Sequence, residues 1–322
     1  MRNTLQQLVL TGLLISVIVS VISGCTKEVE IDIPGFQEQI VIDGSIEPGM
    51  PPIVIISRSK DIYSPTNIEA FLSGFVTDAA VYVSDGTNEY QLTLFCSDDL
   101  PPGTEDLVAG FLGVTPEQLA QLNICAYTSM NLAIWGQTGK TYHLRVEHEG
   151  KSYTGTTQIL QPHALDALWW QEENDNPGYG FSYARLSDPA GVYDAYKWEV
   201  KRINMVDGKP IDSYYKPTFS SVVEDEFFDG KTFEFYYENP WTIGDQSLEA
   251  KHRGRYKVGD TVVVKFSKID EGVYDFLYTK LAQALSSGNP FASSMNVKTN
   301  LEGGCLGVWA GYSPVYDTLV CE

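Results

Sequence analysis

Apolar and polar positions alternate with a period of two along most of this chain, the spacing of strands with one buried face. Gln39–Ile46 reads as a first strand, ended by Glu47-Pro48-Gly49, and Pro52–Ser57 as a second. Proline is tolerated at the start of a strand or at a sheet edge. Ala80–Ser84 and Glu89–Phe95 alternate on either side of Asp85-Gly86, a strong hairpin signal. Gly139–Val146 and Glu149–Thr157 form another hairpin. Gln161-Pro162 marks a boundary. Beyond it, Leu165–Trp170, Phe181–Leu186, Tyr196–Ile203 and Thr261–Phe266 are further strands, with an irregular aromatic stretch over 205–250. Many short strands separated by turns predict a mostly β fold. The expected arrangement is two β-sandwich-like domains of immunoglobulin or fibronectin type, at 39–161 and 162–322.

Two segments depart from that period. Val273, Phe276, Leu277, Leu281, Ala284 and Leu285 recur at helical spacing. They predict one long helix over about 271–286, capped by Ser267 or Asp270 and stopped by Gly288 and Pro290. The residues from Cys96 to Cys125 read as an insertion. Within it Thr115-Pro116-Glu117-Gln118 supplies an N-cap, a proline at the first helical position and a capping-box glutamine, so a short helix is expected to about Leu122. Decorated loops of this kind often carry binding. The tail from Asn289 reads as a loop and a closing strand.

The first 24 residues follow a third pattern. Arg2 is the only charge before Lys27, and Leu8–Ile22 is apolar apart from Thr11, Gly12, Ser16 and Ser20. At about 1.5 Å per helical residue this run reaches roughly 22 Å, short of the roughly 30 Å core of a bilayer. A charged start, a short apolar middle and small residues at the end are the features of a secretory signal. Ser23 and Gly24 before Cys25 resemble the bacterial lipobox, in which the cysteine is acylated and cleavage falls just before it. Residues 1–24 are therefore expected to be a signal peptide, Cys25 the lipidated first residue, and 25–38 a tether. Stable anchoring takes more than one acyl chain, which the bacterial modification supplies. Lys27, Glu28 and Glu30, just past Cys25, resemble the export signal that sends lipoproteins of the Bacteroidota to the outer cell face.

Charge removes one class of partner. The chain has 322 residues with 22 Lys+Arg against 42 Asp+Glu, a formal charge of −20. Such an acidic chain repels phosphate backbones, so no nucleic-acid partner is expected. The four cysteines after Cys25 allow three pairings. Sequence proximity favours Cys96–Cys125 and Cys305–Cys321, each bridge contributing roughly 3–4 kcal/mol in the chain-entropy model.

A search for catalytic chemistry assigns nothing. There is no Gly-x-Ser-x-Gly elbow, no His-Glu-x-x-His and no phosphate-cradling glycine loop. His143 and His148 are five apart and face opposite sides of a regular strand; His163 and His252 show no ligand spacing. Asp98-Asp99 and Glu224-Asp225-Glu226 do not match the EF-hand pattern and read as solvated turns. No catalytic residue, metal ligand or cofactor is assigned. Trp169-Trp170 and the aromatics of 227–241 could stack on sugar rings, but adjacent strand residues point to opposite faces, so only one of the two tryptophans can line a given site.

Val41–Ile46, the Gly139-Lys140-Thr141-Tyr142 hairpin, Val273 to Phe291 ending in Gly288-Asn289-Pro290-Phe291, and Asn300–Gly304 with Leu306–Trp309 together resemble one family. It is the Bacteroidota outer-membrane lipoprotein family catalogued as domain of unknown function 4249. The resemblance covers nearly all of the mature chain except the 96–125 insertion. It implies a setting beside TonB-dependent outer-membrane transporters and carries no catalytic residues. The expected function is that of a non-enzymatic lipoprotein, anchored in the outer membrane and facing the exterior, that helps a TonB-dependent transporter capture or admit a ligand. A carbohydrate-binding or adhesive surface module is the alternative, and a surface hydrolase a further one. A glycan or small molecule is the expected type of ligand.

Overall fold

Burial along the strands follows the period of two read from the sequence. In Ile40–Ile46, Ile40, Ile42, Gly44 and Ile46 turn inward, while Val41, Asp43 and Ser45 turn out. The computed structural model describes residues 37–60, 74–100, 103–286 and 296–322. The expected signal peptide, Cys25, the tether up to residue 36, and Gly288 and Pro290 lie outside the described residues.

Strands are numbered in chain order. β1 (Ile40–Ile46), β2 (Ile53–Arg58), β5 (Thr93–Cys96), β6 (Cys125–Thr128) and β19 (Leu306–Gly311) form one sheet, ordered β19-β1-β2-β6-β5. β3 (Ala80–Ser84), β4 (Glu89–Gln91), β7 (Thr141–His148), β8 (Lys151–Gln158) and β18 (Leu301–Glu302) form another, ordered β18-β8-β7-β3-β4. Their inner faces share one core that includes Ile42, Ile56, Val83, Leu144 and Trp309.

A second pair of sheets follows. In one, β10 (Asn176–Ser187) is flanked by β9 (Ala167–Glu173) and by β15 (Thr232–Tyr237) and β16 (Tyr256–Lys257). In the other, β14 (Lys216–Glu224), β11 (Ala195–Arg202), β17 (Thr261–Ile269) and β20 (Ser313–Val320) run in the order β14-β11-β17-β20. Tyr196, Trp198, Tyr256, Val264 and Phe266 fill the core between them. A two-stranded hairpin, β12 (Met205–Val206) and β13 (Lys209–Pro210), stands apart. Within the stretch expected to be irregular, β14 carries Pro217 at a sheet edge, where proline is tolerated. β15 alternates, with Phe233, Phe235 and Tyr237 packed on the core.

Sequence order splits the chain at residue 161, but the last strands do not respect that split. β18 pairs with β8, and β19 lies parallel to β1. One residue after β19 ends, β20 begins and pairs with β17 in the second pair of sheets. Residues 38–322 accordingly form one compact unit. This crossing corrects the expected Cys305–Cys321 bridge. Cys305 lies in the first core and Cys321 in the second, and both are free and buried. Cys96 and Cys125 are bonded, as expected. Burial pushes the Cys305 thiol up and the Cys321 thiol up to about 12. Alkylation of the unreduced, denatured protein should therefore modify Cys305 and Cys321 and spare Cys96 and Cys125, with almost no labelling while the fold is intact. A peptide map that links Cys305 to Cys321 would overturn the assignment.

The disulfide closes an insertion holding two helices, α1 (Glu105–Leu112) and α2 (Pro116–Leu122), where one was expected. α2 starts with the expected capping box between Thr115 and Gln118. α1 has no side-chain cap hydrogen bond at Thr104, so it lacks the sequence mark that identified α2. Ala109, Leu119 and Ile124 pack together, with Ile55 from the outer face of β2 against them. α3 (Glu271–Ser286) is the expected long helix. Asp270 is its cap and accepts from Val273 N at 2.9 Å; its other oxygen accepts from Thr157 Oγ1 at 2.6 Å and Gln158 N at 3.0 Å, pinning the helix to β8. Ser267, the other candidate cap, is buried within β17.

Candidate functional site

The outer faces of the two sheet pairs meet along a charged seam. On β11, Tyr196, Trp198 and Val200 turn into the second core, which leaves Lys197, Glu199 and Lys201 on the opposite face. On β17, Val264 and Phe266 turn inward and place Lys265 beside them. On β1, the inward Ile42 and Ile46 put Asp43 and Ser45 on the side that faces these lysines and glutamates. Alternation thus delivers charge to a place that is not solvent. Side-chain exposure is 14% for Lys197, 10% for Glu199, 12% for Lys265 and 18% for Glu47.

Buried charges persist only when paired. Lys197 Nζ lies 3.0 Å from Glu199 Oε1 and 4.5 Å from the centre of the Tyr312 ring. Lys265 Nζ bonds Glu47 and lies 4.0 Å from Glu199 Oε2. Burial works against both ammonium groups, but the glutamates beside them outweigh it and hold both pKa values above the ordinary lysine value. Lys201 Nζ donates to Ser213 O at 3.1 Å and sits 6.0 Å from the Tyr215 ring. Burial raises the Tyr215 hydroxyl and pushes Tyr316 up to about 12, so both stay protonated at neutral pH.

Where the seam opens it leaves a pocket of about 420 Å³. One wall is apolar, from Ile53, Ile55, Met50 and Leu112; the other carries Glu199, Lys201, Lys265, Tyr214, Tyr215 and Tyr316. The insertion closes one side with Asp106, Gly110 and Gly113 of the α1 segment. A concave site with apolar walls and a few fixed polar groups is the usual form of a small-molecule site. Of its four lining carboxylates, Glu47, Glu199 and Asp106 are in ion pairs, the last with Lys209 at 3.0 Å, while Asp43 is exposed. The sequence gives no sign of this convergence. Asp43, Glu47, Lys201, Tyr215, Lys265 and Tyr316 are far apart in the chain and match no motif. The insertion, by contrast, stands out from its cysteines and its capping box.

The other sequence candidates fall elsewhere. His143 is exposed and His148 buried, on opposite faces of β7 as expected. His148 contacts Arg58 Nη2 at 3.0 Å, and His163 contacts Ser187 O at 2.9 Å. Asp98 and Asp99 lie in an exposed turn and do not line the pocket. Asp225, expected in a solvated turn, is buried. Its carboxylate lies near those of Asp188 and Asp229, with one oxygen of each within 4.8 Å of the others. Oxygen donors of this kind suit a hard divalent cation. Here they already accept hydrogen bonds: Asp188 from Tyr196 Oη at 2.9 Å, Asp225 from Asp194 N at 3.0 Å and Asp229 from Gly191 N at 2.6 Å. Burial, together with Asp194 and Asp225, raises the Asp188 carboxyl above its ordinary range.

Among the described residues, no helix is long and apolar enough to cross a membrane. No curated protein matches the chain. A family model described as domain of unknown function (DUF4249) matches residues 26–315.

Proposed function

The chain belongs to the DUF4249 family, and we propose that it is a non-enzymatic lipoprotein, held at the outer membrane by acyl chains on Cys25. In this reading it faces the cell exterior, and its two sheet pairs are immunoglobulin-like units. Its seam pocket captures a small ligand and presents it to a TonB-dependent transporter. The pocket at the seam, half-closed by the disulfide-braced insertion, carries the reading. Its ion-paired carboxylates favour binding over catalysis. Glu47 and Glu199 both contact Lys265, so neither stands free as the acid or nucleophile of a glycosidase pair. The family match starts one residue after Cys25, which agrees with a mature chain that begins there.

Gly110 offers a direct test. A Cβ at that position would meet only Ser213 O, at 3.5 Å, so a side chain can be added without a clash at its base. Gly110→Phe should fill the pocket and leave the fold in place. Native mass spectrometry of protein purified from its own membranes in mild detergent should show three results. The N-terminus is an acylated Cys25, an outer-membrane barrel co-purifies, and a small-molecule adduct is present in the wild type but lost in Gly110→Phe. An unmodified residue 25, or a start elsewhere, would overturn the anchor. An adduct that persists in Gly110→Phe would overturn the pocket.

A further inference from the structure

The second pair of sheets has a solvent-facing aromatic surface that its core does not use. In β9, Leu168 and Trp170 pack on the core, which turns Trp169 outward. In β10, Ala184 and Leu186 are core residues, which turns Phe181 and Tyr183 outward. In β15, Phe235 and Tyr237 face the core and Tyr236 faces out, 57% exposed. Register then aligns them: Tyr183 is paired with Trp169 on one side and with Tyr236 on the other. The result is a row of three rings across three strands, with Phe181 one step along the middle strand.

These rings overlap without covering one another. Ring centres are 5.7 Å apart for Trp169 and Tyr183, 5.4 Å for Tyr183 and Tyr236, and 5.1 Å for Phe181 and Tyr236. A full face-to-face overlap would bring them to about 3.5–4.0 Å, the optimal separation of carbon atoms. Tyr236 is exposed and Trp169, Phe181 and Tyr183 are half-buried, so part of each ring stays open. Contiguous exposed apolar surface on a folded protein usually marks an interaction site.

The rim says what kind of partner fits. Arg185 Nη2 pairs with Glu234 at 2.7 Å, and Arg255 Nε with Glu173 at 3.0 Å. The two guanidinium groups also lean over the ring faces of Trp169 and Phe181, at 6.0 and 4.5 Å. Both rim cations are paired, and Arg255 also lies near the Glu238 and Asp175 carboxylates, so the rim offers no unopposed positive charge. An anionic partner would therefore be repelled. A neutral, hydroxyl-rich partner finds both things it needs. The electron-rich ring faces attract the slightly positive C–H groups on the flat side of a pyranose ring. Nη1 of Arg185 and Oε2 of Glu234 make no hydrogen bond to any described residue, which leaves a donor and an acceptor for hydroxyls at the ring's edge.

We propose that the outer face of β9, β10 and β15 binds an uncharged polysaccharide, with Trp169, Tyr183 and Tyr236 stacking on its sugar rings. This site is separate from the seam pocket and does not depend on it. Affinity electrophoresis of the full-length protein in detergent tests it, in native gels cast with mixed-linkage β-glucan, galactomannan or arabinoxylan. A gel with a sulfated glycan gives the charged comparison. At least one neutral gel should retard the wild type. Trp169→Ala and Tyr236→Ala should each raise the apparent Kd at least tenfold, and Gly110→Phe should leave it unchanged. Tyr236 is far enough exposed that its truncation leaves the fold intact even if Trp169→Ala does not fold. The proposal fails if no neutral gel retards the protein, if the two variants migrate like the wild type, or if only the sulfated gel binds. It also fails if the variants bind glycan normally and instead lose a co-purifying protein.

Discussion

Asp212→Ala should destabilise the protein by about 3–5 kcal/mol, the cost of removing one partner from a buried ion pair. Asp212 is 1% exposed and takes three hydrogen bonds from one residue: Arg202 N at 2.7 Å, Nε at 2.9 Å and Nη2 at 2.7 Å. Burial alone would depress the guanidinium, yet Asp212 outweighs it and Arg202 stays above its ordinary value. Without the carboxylate, a nearly buried cation and a backbone N–H lose their acceptor together. Asp212→Asn keeps an oxygen but not the charge, and should cost less. Arg202→Met combined with Asp212→Leu removes both charges and should recover most of the loss, because two matched apolar groups leave nothing unpaired. Chemical denaturation of the wild type and these three variants measures each change. A double variant no more stable than Asp212→Ala would mean that the pair's packing matters, not its charge. The position has a functional side as well. Asp212 immediately precedes Ser213, Tyr214 and Tyr215, which line the pocket. Loosening this turn should weaken ligand retention even where the protein remains folded.

The strands were legible because a half-buried strand writes its two faces into alternate residues. β1, β7 and β17 follow that rule, and the Asp85-Gly86 turn between β3 and β4 was visible from its dipeptide. α3 was legible from its changed period, and the Cys96–Cys125 bridge from a spacing that matches one local loop. What failed was long-range pairing. Nothing in Leu306–Gly311 announces that it will lie parallel to a strand more than 250 residues earlier, and so the Cys305–Cys321 bridge was inferred from proximity alone. The seam pocket failed for a related reason. Lys197, Glu199 and Lys201 alternate with core residues like any solvent-facing set. That they face a second sheet instead is a property of the packing, to which local periodicity is blind. At Trp169 and Trp170 the sequence stated the choice correctly, one in and one out, and β10 decided which.

Trp309→Ala should cost about 3–5 kcal/mol, the range for deleting a large aromatic side chain from a core. It is expected to be the most damaging change in the first pair of sheets. Trp309 is fully buried, and its indole N–H donates to Tyr142 O on the facing sheet at 3.1 Å. Two glycines make room for it. A Cβ on Gly44 would lie 2.7 Å from the ring's Cε3, and one on Gly155 would lie 3.2 Å from the tryptophan's own Cβ. Neither glycine has a side chain to move into that space, so the cavity left by alanine should collapse poorly. The backbone is pinned too, since Asn300 accepts from Trp309 N at 3.0 Å and donates to Trp309 O at 2.7 Å. Trp309→Phe retains most of the volume but leaves the Tyr142 carbonyl without its indole donor, at about 1–3 kcal/mol. Gly44→Ala should destabilise by a comparable amount through overpacking, typically about 1–3 kcal/mol. The ordering Trp309→Ala well above the other two follows if the ring clamps β19 to β1 and to the facing sheet. β1 also carries Asp43 and Ser45 into the pocket, with Glu47 just past its end, so Trp309→Ala should release a bound ligand at temperatures where Cys96–Cys125 still holds the insertion closed. Denaturation midpoints and ligand retention measured on the same samples test both halves. A Trp309→Ala protein no less stable than Trp309→Phe would show that β19 is held by its ladder alone.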